Sequence, residues 1–189
     1  MILAYHVIFG AYGFWLPNDP RGSWSEFVGA WELYRFGKAT KTTETRSLAH
    51  AGHDRKLRLA AKLALKFPAV EFSGPQALAV AQGFDEARRE GRYAIWACAV
   101  LPEHVHLVIG RHERRIGRII GHLKTRATQR LKSEGLWPDP QRPVWAERGW
   151  KVFLDSIEDV GRAVAYVAEN PAKEGKRPQR WSFVVPIEM

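Results

Sequence analysis

Arg92-Tyr-Ala-Ile-Trp-Ala-Cys-Ala-Val100-Leu-Pro-Glu-His104-Val-His106-Leu-Val-Ile-Gly110 sets the architecture of this chain. Two apolar runs are joined by a Leu-Pro-Glu turn, which predicts a hairpin of adjacent antiparallel strands over 92–100 and 104–110. The first run is apolar on both faces, which predicts a place in the middle of its sheet. In the second run side chains alternate, so Val105, Leu107 and Ile109 share one face while His104 and His106 share the other.

Outward from the hairpin, Leu3–Gly10 is rich in aromatic and branched residues and reads as a first strand. A loop full of turn formers follows, Trp15-Leu-Pro-Asn-Asp-Pro-Arg-Gly-Ser-Trp24. Residues 25–66 read as irregular with helical stretches, the best of them 54–66. A short strand is expected at 69–72. Pro75 opens a helix that runs to Glu90 and closes at Gly91.

A basic helix is expected over about 113–133, ending at Gly135, and then a strand over Trp150–Leu154. Ser156 caps a helix through about Glu169, with Asp159 near its positive end and Pro171 as its stop. Trp181–Val185 reads as a last short strand or tail. The order β-α-β-β-α-β-α predicts an α+β fold: an antiparallel central sheet with helices on one face, and a separate helix carrying Tyr166. One sheet face would stay open, with His104 and His106 on it. No linker or internal repeat divides residues 1–189.

The chain has 189 residues and is 46% hydrophobic, enough for a sizeable core. Its one cysteine, Cys98, lies in an apolar run and excludes an intrachain disulfide or a cysteine cage for zinc. That usage fits a reducing cytoplasm. The N-terminus lacks a signal-peptide pattern, and no apolar run approaches the roughly 20 residues that span a bilayer. The formal charge of +9 favours a polyanionic partner or a merely soluble basic surface.

Two imidazoles at i and i+2 on a strand converge as transition-metal ligands do. They read either as two of three ligands or as polar residues on a solvated face. His6, His50, His53, His112 and His122 show no metal spacing and read as surface or loop residues. In helix 157–169 the apolar stripe is Ile157, Val160, Ala163, Val164, Val167 and Ala168. Tyr166 falls roughly 140° from its centre, on the polar side with Asp159, Arg162 and Asn170. A tyrosine there is either half-exposed and idle or a nucleophile aided by a nearby cation. Asn170, one turn on, offers an amide oxygen that would complete a His104, His106, Asn170 metal site. Glu169 is the substitute carboxylate.

Segment 111–132 carries Arg111, Arg114, Arg115, Arg118, Lys124, Arg126, Arg130 and Lys132 against one acid, Glu113. Its apolar stripe is Ile116, Ile119, Ile120, Leu123, Ala127 and Leu131, so the basic residues are expected to fill the outward arc. Lys173, Lys176, Arg177 and Arg180 form a second cluster beside Trp181. Such charge with an aromatic fits a single-stranded or hairpin nucleic acid, or a solvated helix face.

Leu-Pro-Glu-His104-Val-His106-Leu-Val resembles the His-hydrophobic-His signature of the HUH endonucleases, and Ala165-Tyr166-Val-Ala-Glu-Asn170-Pro171-Ala-Lys resembles the tyrosine helix of their single-tyrosine transposases. The chain is most similar to the REP-associated tyrosine transposases, through Tyr5-His-Val-Ile-Phe, Trp15–Gly22 and Trp145–Asp155 as well. The resemblance runs in order over 3–22 and 93–173 and leaves about 25–70 as a subgroup insertion. It implies an HUH, ferredoxin-like fold and a transposase that nicks and rejoins single-stranded DNA next to hairpins. Tyr166 would form a 5′-phosphotyrosine intermediate, and Mg²⁺ or Mn²⁺ would sit on His104, His106 and Asn170. The expected DNA contacts are Arg111, Arg114, Arg115, Arg118, Lys124, Arg126, Arg130, Lys173 and Lys176. The protein would be cytoplasmic, DNA-associated and either a monomer or a homodimer. The alternative is a catalytically silent hairpin-binding relative. A third reading is a metal hydrolase that uses water.

Overall fold

The structure is a computed structural model, and it describes residues 1–17, 19, 31–37 and 52–187. The elements are β1 (Ala4–Ala11), a 3-10 helix (Trp31–Phe36), α1 (Arg55–Leu63), α2 (Gly74–Gly91), β2 (Ile95–Val100), β3 (His104–Gly110), α3 (Ile116–Ser133), β4 (Trp145–Leu154) and α4 (Ile157–Lys173). Most of 25–51, His50 included, and much of the 15–24 loop lie outside the described residues.

The 92–110 hairpin forms as β2 and β3, closed by Leu101 N–H donating to His104 O at 2.9 Å. All pairings are antiparallel, and the strand order is β2-β3-β1-β4. Val7, Phe9, Val105, Leu107 and Ile109 pack with Val80, Phe84, Ile119 and Leu123, so α2 and α3 cover one sheet face. Each fully buried side chain of this size contributes about 2–3 kcal/mol. The helices are set by their ends. Ser73 and Gln76 cap α2 reciprocally, and Ser156 Oγ accepts from Asp159 N–H at 3.1 Å at the start of α4.

The second sheet face departs from expectation. It is not open: Val160, Ala163 and Val167 of α4 pack on Ala4, Trp96, Ala97, Ala99, Val108 and Leu154. The separate tyrosine helix therefore roofs the histidine face. β2 is an edge strand rather than a central one. It is apolar throughout because α4 covers one of its faces and the core on the α2–α3 side takes in Ile95, Cys98 and Val100 on the other. Its outer edge is shielded by the chain's last segment. Gln179 bonds both the N–H and the C=O of Val100 (2.8 and 2.7 Å), and Val185 N–H donates to Ile95 O.

Pro171 does not stop α4, which runs on to Lys173. A proline forfeits one N–H, and the next turn is closed by other groups. Gly175 takes φ +67° and donates to Ala172 O, and Lys176 N–H donates to Pro171 O at 2.8 Å. That left-handed closure, which a glycine adopts without steric cost, is the true stop. Residues 69–72 form no strand, because Val70 and Phe72 bond separate partners, Tyr12 O and Pro102 O. β4 begins five residues earlier than expected, because a register shift opposite Phe9 and Ala11 hides its alternation.

Candidate active site

Strand register brings three histidines onto one face. His104 lies opposite Gly10, His106 opposite Ile8, and His6 opposite Val108. His6 Nε2 and His106 Nδ1 share a hydrogen bond at 3.2 Å. The His104 and His106 rings lie 4.9 Å apart, and Phe14 stacks on His104 at 4.7 Å. His104 is 8% and His106 4% exposed, which removes the reading of a solvated pair. Burial pushes the His106 pKa well below its usual value, aided by the neighbouring His104 and His6. Burial alone pushes His6 down to about 4. Both rings are therefore neutral at pH 7, the state that binds a cation.

His6 is the member that the sequence reading left among surface residues. Its signal was parity: Val7 and Phe9 face the core, so His6 faces with Ile8 toward the histidine pair.

α4 lays Tyr166 over this cluster. Its ring is 5.7 Å from that of His106 and 5.8 Å from that of His6. It is 38% exposed, off the buried stripe as its helical phase predicted. The phenol pKa is raised, chiefly by burial and also by Glu174, against the lowering effect of Lys173, whose ammonium sits 4.9 Å from the ring centre.

Asn170 is not on the polar side. It is 6% exposed, sharing the buried arc with Ala163 and Val167, and its Nδ2 has no hydrogen-bond partner. A buried N–H without a partner is costly and calls for an acceptor, whereas the atom that could bind a cation is Oδ1. Asp159 and Arg162 instead pair with each other, and Asp159 accepts from Ser156. Glu169 is exposed and pairs with Lys173 at 3.0 Å. Among the described residues, the carboxylate that reaches the histidines is Glu174, whose Oε1 lies 3.5 Å from His104 Nε2. Among the described residues, no three His, Cys, Asp or Glu side chains already form a metal-holding group. Two buried imidazoles with the buried Asn170 amide beside them nevertheless form a donor set, ring nitrogens and an amide oxygen, that fits a divalent ion.

No protein-family model and no curated protein matches the chain. Solved structures do. A REP-associated tyrosine transposase bound to a REP hairpin is similar at 15% identity and a TM-score of 0.50, over 96% of this chain and 74% of that one. The chain has an HUH-type transposase fold. A candidate transposase from Deinococcus radiodurans R1 is also similar, at 10% identity and a TM-score of 0.43, over 95% and 94% of the two chains.

On this HUH-type fold the basic residues divide into two groups. Arg111, Arg114, Arg115 and Arg118, before and within the first turn of α3, are exposed and make no ion pair among the described residues. Lys173 and Lys176 are exposed at the end of α4. The other three do not fill the outward arc. Lys124 is half-buried, donates to Ala146 O at 2.7 Å and has its pKa pushed down to about 8 by burial. Arg126 pairs with Glu90, and Arg130 bonds Glu86 at 3.0 Å and Glu134 at 2.6 Å. For the two arginines the cause is α2, whose Glu86 and Glu90 face α3; for Lys124 it is the start of β4. The free arginines follow Gly110, roughly 20 Å along β3 from His104 at about 3.3 Å per residue.

Proposed function

We propose that this chain is a DNA transposase that nicks and rejoins single-stranded DNA next to hairpins, through a 5′-phosphotyrosine intermediate. One observation carries the reading: a half-exposed Tyr166 packed 5.7 Å from a buried, neutral His106 on an HUH-type fold. The similar transposase is bound to a REP hairpin, which supports the same class of substrate here.

In this proposal Tyr166 Oη attacks the scissile phosphorus, and the phosphorus–O3′ bond breaks. The 3′ oxygen leaves as a hydroxyl, and the 5′ phosphate stays on Tyr166. A 3′-hydroxyl then reverses the step, so rejoining needs no nucleotide cofactor. The raised phenol pKa means that the proton is lost during attack. His6, beside the ring and outside the proposed ligand set, is the imidazole that would relay this proton to the departing 3′ oxygen during attack. His104, His106 and Asn170 would hold Mg²⁺ or Mn²⁺, and imidazole donors suit Mn²⁺ better. When bound, such an ion supplies positive charge against the phosphate.

Tyr166 packs on histidines of its own chain, which supports its use in cis, in a monomer or a homodimer. The chain acts as one domain on DNA in the cytoplasm. Residues of about 25–70 are an insertion, supported by the separate apolar cluster of Leu16, Leu33, Phe36 and Ala61. Among the described residues, no helix is long and apolar enough to cross a membrane.

The test is incubation with single-stranded hairpin DNA and Mn²⁺, followed by a denaturing gel. The wild type forms a covalent adduct; Tyr166→Phe forms none while hairpin binding survives. Hairpin binding by the wild type with no adduct identifies a silent relative. Cleavage that leaves no DNA on the protein identifies a hydrolase.

A further inference from the structure

We propose that Glu174 is a further metal ligand, the one carboxylate of the site; this rests on the metal reading given above. The inference starts from helix geometry. Tyr166, Asn170 and Glu174 recur every four residues, so they share one face of α4 and its last turn. That face crosses the histidines from end to end. Tyr166 lies against His6 and His106, and Glu174 reaches His104 at 3.5 Å. Asn170 lies between them, buried.

The end of α4 fixes this placement. Glu174 N–H donates to Asn170 O and Pro171 O, both at 3.2 Å, and the Gly175 turn closes behind it. The helix passes Pro171 by the length needed to carry a carboxylate over His104.

The separation suits a shared ion. Two atoms bound to one cation at about 2.1 Å stand about 3.0–3.4 Å apart, close to the distance between His104 Nε2 and Glu174 Oε1. The Glu174 side chain is 39% exposed, so a small rotation about its χ angles would bring it the rest of the way. Chemistry gives the reason. Two imidazoles and an amide supply no negative charge, whereas Mg²⁺ and Mn²⁺ prefer charged oxygen donors. Glu169 is the weaker candidate: its side chain is 64% exposed and turned to Lys173 at 3.0 Å.

The test is Mn²⁺ binding to the whole chain without DNA, read as free Mn²⁺ by electron paramagnetic resonance. The wild type binds one ion, and His106→Ala loses it. Glu174→Gln raises the dissociation constant at least tenfold, Glu174→Asp falls between, and Glu169→Gln matches the wild type. Wild-type affinity in Glu174→Gln beside loss in His106→Ala overturns the proposal and leaves the histidine site standing. Equal weakness in the Asp and Gln variants, neither of which removes the backbone N–H that caps the helix, would mean that the charge at 174 is not what holds the ion and also overturn it. No Mn²⁺ binding by the wild type overturns the metal reading and Glu174 with it.

Discussion

A neutral imidazole can bind a cation and a protonated one cannot, and burial decides which state His6 and His106 adopt. The folded pKa of His6 is about 4, below the usual 6.5, so between these values the unfolded chain binds more protons. Stability is complete above about pH 6.5 and falls as pH drops toward 4, by at most roughly 3 kcal/mol for this one group. Urea unfolding of the metal-free protein at pH 7.5 and 4.5 checks it: His6→Gln should lose less on acidification than the wild type, and an equal loss contradicts the assignment. At this scale the sequence showed His104, His106 and Tyr166 by alternation and helical phase. It hid His6, because one histidine on a strand has no partner until register pairs β1 with β3. It also put Asn170 on the wrong side. The stripe drawn from apolar residues alone included Ile157 and Ala168, both exposed, and so pulled the apparent buried face away from 170.

Between elements, α2 and α3 approach closely as the pair that supports the sheet from beneath. Gly83 makes it possible: a Cβ there would stand 2.5 Å from Ala127 Cα and 2.7 Å from its nitrogen, both backbone atoms that cannot turn aside. Gly83→Ala should therefore cost about 1–3 kcal/mol despite its better helix propensity, measured by urea denaturation. Unchanged or increased stability would show that the helices can part freely. The β2–β3 hairpin, α2 and α3 were legible because each carries a local signal: a turn between apolar runs, a capping box, and an apolar helical stripe. The edge position of β2 was not, since a run apolar on both faces reports that it is covered and says nothing of what covers it. Here the cover is α4 and the closing segment around Gln179 and Val185, contacts that span long stretches of sequence.

Across the whole molecule, charge is partly spent inside the protein. Composition reads a net charge of +9, but Arg126 and Arg130 are held by the carboxylates of α2, while Arg111, Arg114, Arg115 and Arg118 are exposed and make no ion pair among the described residues. Counting residues could not separate the two groups, because the pairing depends on how α2 and α3 dock. Each free arginine that meets a phosphate releases counterions, so log K falls more steeply with log salt. Arg114→Ala and Arg118→Ala should each weaken hairpin binding and lower the salt slope by about 1, whereas Arg126→Ala and Arg130→Ala should barely change it. Binding titrations between 50 and 200 mM salt (roughly the range over which such terms are large) distinguish the sets, and equal slopes for all four contradict the partition. The central claim, that Tyr166 joins to DNA, is tested most directly by mass spectrometry of the nuclease-trimmed adduct. The account predicts a nucleotide 5′-phosphate on the phenol of Tyr166, and a linkage on any other residue, or through a 3′-phosphate, contradicts it.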